Sequence, residues 1–133
     1  MRMRQFLTIA LAAAAIGILN FLANPNRPVF GLAADEIDVK TAESLPAETI
    51  IVDARSPKEF AESHLEGALN LSEDNFEGQV PEFLDVWTPG MQIVVYCSSS
   101  ACNSSRSIAN RLRDDFGIKN VLVLKGDWRT WKK

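Results

Sequence analysis

Apolar residues fall along this chain in short unbroken runs, separated by stretches with a helical period. Thr49-Ile50-Ile51-Val52, Ile93-Val94-Val95-Tyr96 and Asn120-Val121-Leu122-Val123-Leu124 are continuous and rich in β-branched residues, the pattern of strands buried on both faces. Asp35 to Val39 alternates polar and apolar, as does Ala68 to Leu71, and each predicts a short strand, the first at a sheet edge. Helical signals lie between them. Thr41 to Leu45 allows one turn, ended by Pro46. Ser56-Pro57-Lys58-Glu59 has an N-cap, a proline at the first helical position and a capping-box glutamate. Asp74 to Trp87 places Phe76, Val80, Phe83, Leu84 and Trp87 at helical spacings, with Gly78 and Pro81 expected to divide it. Ile108, Leu112 and Phe116, with Ala109 beside them, form one face of a helix that Gly117 stops. Alternating strands and helices predict an α/β fold: a central, mostly parallel five-stranded sheet with helices on both faces.

The first 34 residues follow a different pattern. Phe6 to Ala23 is apolar except for Thr8 and Asn20 and follows Arg2 and Arg4. Its 18 residues are just long enough to cross ~30 Å of hydrocarbon. Residues 1–23 therefore read as a transmembrane anchor, with the domain on the periplasmic or extracytoplasmic side. A cleaved signal peptide is the alternative, with small residues at Gly31-Leu32-Ala33 and a secreted or periplasmic product. Residues 24–34 read as a linker and 35–133 as the domain. Either placement lets Cys97 and Cys102 meet an oxidising compartment.

Charge narrows the function classes. From residue 35 onward the chain carries 11 basic and 17 acidic side chains, a net of −6. Nucleic acid is excluded as a partner, because phosphate contact needs a basic face. Two cysteines and one histidine cannot fill a structural zinc site, and nothing calls for a cofactor.

The candidate chemistry lies in Ile93 to Ser107. The apolar run delivers Cys97 to the end of a strand, a loop of small polar residues containing Cys102 follows, and a helix begins. Free N–H groups at a helix amino end gather around an anion and lower a thiol's pKa. Cys97 is then either a nucleophile or a small buried residue.

Four stretches, in order, resemble the rhodanese-like (sulfurtransferase) family. Ile50-Ile51-Val52-Asp53-Ala54-Arg55 with Glu59-Phe60 is similar to its "VDvR…EF" segment. Ser63 to Leu71 is similar to "GHIpGAiNiP", and Val94 to Cys97 to the strand entering its active-site loop. Phe116-Gly117 through Trp128 is similar to "GfxnVyvLeGGw". The loop departs from the common six-residue form: Cys102 stands at +5 from Cys97, Arg106 only at +9. It is similar to a subgroup reading C-x4-C-x2-S, here Cys97, Cys102 and Ser105. Ser63, Glu66 and Asp127 also replace usual family residues.

The resemblance implies sulfur transfer. The Cys97 thiolate takes a sulfane sulfur from a small donor as a persulfide and passes it to a thiol or similar acceptor. Ser98, Ser99, Ser100, Ala101, Asn103, Ser104, Ser105 and Arg106 form the surrounding, anion-binding loop. Cys102 has three readings: a resolving thiol, half of a static disulfide, or a bystander. Arg106 either turns into the loop to steer an anionic donor or points to solvent. Ser104 or Ser105 is expected to cap the helix. Arg55 and Glu59, four apart, are within reach of an ion pair, and Asp53, Arg55 and Glu59 are read as structural support. His64 is expected to make a structural hydrogen bond. Trp128 and Trp131 either wall the pocket or pack the carboxyl end. The competing functions are a thiol-redox protein using Cys97 and Cys102 and a non-catalytic binding module; a cysteine phosphatase is disfavoured because Asn103 and Ser104 stand where its loop needs arginine. Protein partners are not legible.

Overall fold

The computed structural model describes residues 32–99 and 102–132; the anchor-or-signal segment and most of the linker lie outside them. The described residues hold five strands: β1 (Glu36–Asp38), β2 (Ile50–Asp53), β3 (Leu69–Asn70), β4 (Ile93–Tyr96) and β5 (Val121–Lys125). Between them lie four α-helices: α1 (Val39–Glu43), α2 (Pro57–Glu62), α3 (Phe76–Val86) and α4 (Ser104–Phe116). Short 3-10 turns cover Glu73–Asn75 and Trp128–Thr130. The strands form one sheet in the order β1-β5-β4-β2-β3. Every pairing is parallel, so the α/β class holds and the sheet is parallel throughout.

The unbroken apolar runs occupy the middle of the sheet because both faces are covered. Ile50, Val52, Ile93, Val95, Val121 and Val123 face α3 and α4 and pack on Phe76, Val80, Phe83, Ile108 and Leu112. Ile51, Val94, Tyr96 and Leu124 face the other way, against Ala42 of α1, Phe60 of α2, Trp128 and Trp131. Trp128 and Trp131 therefore pack the carboxyl end, and neither lines the cavity at Cys97. Alternating side chains of a strand supply both layers.

Two element boundaries differ from expectation. The stretch after Asp74 is not divided at Gly78 and Pro81; α3 runs unbroken through both. Its Phe76, Val80 and Phe83 are buried on one core face, and that shared burial outweighs the hydrogen bond Pro81 removes. Nor does a serine side chain cap α4. Asn103 is the N-cap residue, without a side-chain bond; Ser105 is buried, and the Ser104 hydroxyl donates to Glu73 at 2.9 Å. At the other end Gly117 adopts φ 67°, a left-handed conformation that costs glycine little and ends the helix.

The register places the chemistry. Asp53 lies opposite Tyr96, so Ala54-Arg55 and Cys97 emerge together at one edge of the sheet. From β2 the chain moves outward to β3, whereas from β4 it moves the other way to β5. The gap beyond the carboxyl ends of β2 and β4 is thus a switch point, where parallel sheets open a ligand crevice.

Candidate functional site

Cys97 follows directly on β4 and is 5% exposed. It forms a disulfide with Cys102, the two Cα atoms 6.1 Å apart. Cys102 is therefore no bystander. The loop closes tightly: the Cys102 N–H donates to the Ser99 carbonyl at 3.1 Å, and the Ser98 hydroxyl lies 3.9 Å from the Cys97 sulfur. Ser100 and Ala101 lie outside the described residues.

A cavity of about 300 Å³ opens over this pair. Ala54 and Arg55 line it from the end of β2, Ser56 and Glu59 from the start of α2, and Ser72 to Asp74 from the approach to α3. Ser98 and Ser104 complete the wall beside the cysteines. The start of α2 is fixed by its predicted capping box: Glu59 N–H donates to Ser56 Oγ, while Ser56 N–H and Oγ donate to the Glu59 carboxylate. Those bonds, first from the Ser56 side chain, hold the Glu59 carboxyl below its usual pKa, so it is a settled anion on the rim.

Under the cavity lies a buried polar cluster. Asp53 is fully buried and Arg55 nearly so. Arg55 does not pair with Glu59 as its spacing suggested. Its Nε and a terminal nitrogen donate to the Asp53 carboxylate at 3.0 and 2.6 Å, and that nitrogen also donates to the Ser63 carbonyl at 2.6 Å. The reason is competition: the Ser56 cap already holds Glu59, and a buried Asp53 without a cation would be costly. The Tyr96 hydroxyl donates to Asp53 at 2.6 Å and accepts from Leu65 N–H at 3.2 Å. Burial, and then the bond to Asp53, push the Tyr96 phenol pKa well up. Arg55 also lies 4.6 Å from the Trp128 ring centre, within cation–π range.

Arg106 takes neither predicted position. It turns to the far side of α4 and pairs with Asp35 and Glu36, joined there by Arg113 at 2.7 Å from Asp35 and Lys125 at 3.4 Å from Glu36. Burial alone would raise the Asp35 pKa, but the bond and charge of Arg106, with the charge of Arg113, bring it down. His64 Nδ1–H donates to the Phe60 carbonyl at 2.7 Å, and its ring stacks on the Phe60 ring.

Sequence reasoning missed the bracket that holds the acidic wall. Asn70 donates to the carbonyls of Asp53 and Arg55 at 3.0 and 2.9 Å. Gln79 bonds Asn70 and accepts from Ser72 N–H and Oγ at 2.8 and 3.0 Å. The available signal was Gln79's place in the helical stretch, one residue before Val80 of its apolar face. Among the described residues, no three His, Cys, Asp or Glu side chains are placed to hold a metal ion.

Residues 36–133 match the family model of the rhodanese-like domain. The fold is similar to that of a Bacillus halodurans protein, with TM-score 0.58 and 19% identity over 90% of this chain and 79% of that one. It is also similar to a single-domain sulfurtransferase of Saccharomyces cerevisiae, with TM-score 0.54, 18% identity and coverage of 76% and 90%. A rhodanese-related protein of Thermoplasma volcanium gives TM-score 0.54, 17% identity and coverage of 72% and 88%.

Proposed function

Since the chain belongs to the rhodanese-like domain family, we propose that it transfers sulfane sulfur through a persulfide on Cys97, with Cys102 as the resolving thiol. The observation that carries this is the place of Cys97: a cysteine at the crevice beyond β4, under a cavity and within disulfide reach of a second cysteine. In the dithiol form the Cys97 thiolate attacks the outer sulfur of a donor, whose remaining fragment leaves with the electron pair. The amino end of α4 favours the anion that results. An acceptor thiolate then removes the outer sulfur and regenerates Cys97. Alternatively, the Cys102 thiolate attacks the inner sulfur of the persulfide, hydrosulfide leaves, and the Cys97–Cys102 disulfide forms. Two external thiolates return that disulfide to the dithiol.

A second reading, a thiol–disulfide oxidoreductase, is favoured by the disulfide itself. Both readings suit a domain held outside the cytosol behind residues 6–23, where disulfides persist.

The test is the intact mass of the reduced full chain carrying Cys102→Ser, in which the persulfide cannot be resolved to a disulfide, after incubation with thiosulfate, polysulfide and aminothiol persulfide. Sulfur transfer adds one sulfur atom on Cys97, and the adduct is lost in Cys97→Ser. No adduct with any donor would overturn the proposal. Reversible loss of two hydrogens under mild oxidant, abolished by Cys102→Ser, would leave the redox reading.

A further inference from the structure

The cavity over Cys97 carries a net negative charge. Glu59, Glu73 and Asp74 line it; Glu59 is held ionised by Ser56, and Glu73 and Asp74 are exposed. One cation lines it, Arg55, and Asp53 neutralises that charge from beneath. Arg106, the cation nearest the loop in sequence, is committed to Asp35 and Glu36 on the other side of α4. Ser100 and Ala101 add no charge. The amino end of α4 supplies about half a positive charge against three carboxylates. The negative sign wins. Glu73 is also fixed in place, because Ser104, the first residue of α4, donates to it.

We propose that this cavity selects sulfur carriers whose reacting sulfur lies beside a positive charge, and disfavours anionic ones such as thiosulfate, with Glu73 and Asp74 as the specificity-determining residues. The carrier is either a small aminothiol or a cysteine flanked by Lys or Arg in a peptide. The inference deepens the reading of Cys97 and Cys102 as the reacting pair and rests on it. Fields of this kind act on encounter and on the charge of the transition state, and salt weakens them.

The reaction to measure is reductive opening of the disulfide. One thiolate attacks a sulfur of the pair, the S–S bond breaks, and the other cysteine leaves as a thiolate. A second thiolate attacks the mixed disulfide, so two thiols are oxidised to one external disulfide and the protein gains two electrons.

Opening of the full-length disulfide form is timed by quenching with an alkylating reagent and counting adducts by mass. The thiols are cysteamine, mercaptoethanol and mercaptoacetate, and two peptides with cysteine flanked by arginines or by glutamates. Each rate is divided by its thiolate concentration and by the same thiol's rate on an uncharged small disulfide, which removes intrinsic nucleophilicity. Cysteamine should outrun mercaptoacetate by on the order of tenfold at low salt, with mercaptoethanol between, and the gap should close near 1 M salt. The Glu73→Gln/Asp74→Asn variant should lose most of the gap, and Glu73→Gln alone about half of it. Equal rates for all thiols, or a gap unchanged in both variants, would overturn the inference, as would a disulfide that no thiol opens. A preference confined to the small thiols assigns the aminothiol source; one confined to the peptides assigns the basic peptide. Failure of sulfur transfer leaves this readout intact, and equal opening rates leave the mass test intact, so the two failures are distinguishable.

Discussion

Tyr96, the last residue of β4 before the reactive loop, is tied to β2 and to the segment after α2 by a single hydroxyl. It is the only tyrosine in the chain, it precedes Cys97, and its hydroxyl satisfies both the buried Asp53 and the Leu65 N–H. Tyr96→Phe keeps the ring but removes those two bonds, and should cost about 1–3 kcal/mol in urea unfolding. The same group gives an alkaline limb to stability. Its folded pKa is raised, first by burial, so the fold favours the protonated phenol. That stability is complete below the unfolded value of about 10 and is lost as pH rises through it toward the folded value. The phenolate absorbance of this one tyrosine should appear only well above pH ~10, together with loss of structure, and the limb should be weaker in Tyr96→Phe. Asp53→Asn asks more of the residue beneath. It leaves Arg55 buried without its counter-charge, and a loss of roughly 3–5 kcal/mol is expected.

At the scale of elements, the charge network around Arg106 pins β1 to α4. Arg106→Gln should cost about 1 kcal/mol, since the pairs are only partly buried, and should speed hydrogen exchange of the β1 amides. Asp35 and Glu36 both have lowered pKa values in the fold. Their contribution is therefore present above the unfolded carboxylate range near pH 4 and is lost as pH falls through the folded values. The acid limb of a denaturation profile should be shallower in Arg106→Gln. The opening rate of the Cys97–Cys102 disulfide should not change, because Arg106 faces away from it. The strands and the α2 cap were legible because burial on both faces and a capping box leave plain local patterns in Ile50 to Val52, Ile93 to Tyr96 and Ser56 to Glu59. The partners of Arg55 and Arg106 were not. An (i, i+4) spacing says which charges can meet, while parallel register decides that Asp53 and Tyr96 lie side by side and that Asp35 approaches α4. Continuity of α3 was likewise hidden, since Pro81 argues locally against a helix that Phe76, Val80 and Phe83 impose together. At Pro81→Ala the restored N–H can reach the Glu77 carbonyl, and a gain of about 1 kcal/mol is expected in the same unfolding assay.

For the whole domain, the disulfide closes a loop with a sequence separation of only 5. Chain-entropy reasoning gives such a short loop about 2 kcal/mol. Reduction should therefore lower stability by about that much without unfolding the domain, and Cys97→Ser/Cys102→Ser should match the reduced protein in a denaturant titration. A reacting pair should be of this kind, weakly coupled to the fold it sits in. One consequence of the sheet order concerns load rather than chemistry. The first and last strands, β1 and β5, are neighbours and run parallel, with Glu36 to Asp38 set against Val123 to Lys125. Force drawn through the two ends of the domain first peels the tail that holds Trp128 and Trp131. It then meets the β1–β5 ladder lengthwise, so its hydrogen bonds must slide and break together rather than open one after another. A domain anchored at one end and seized by a partner at the other would resist traction at that seam.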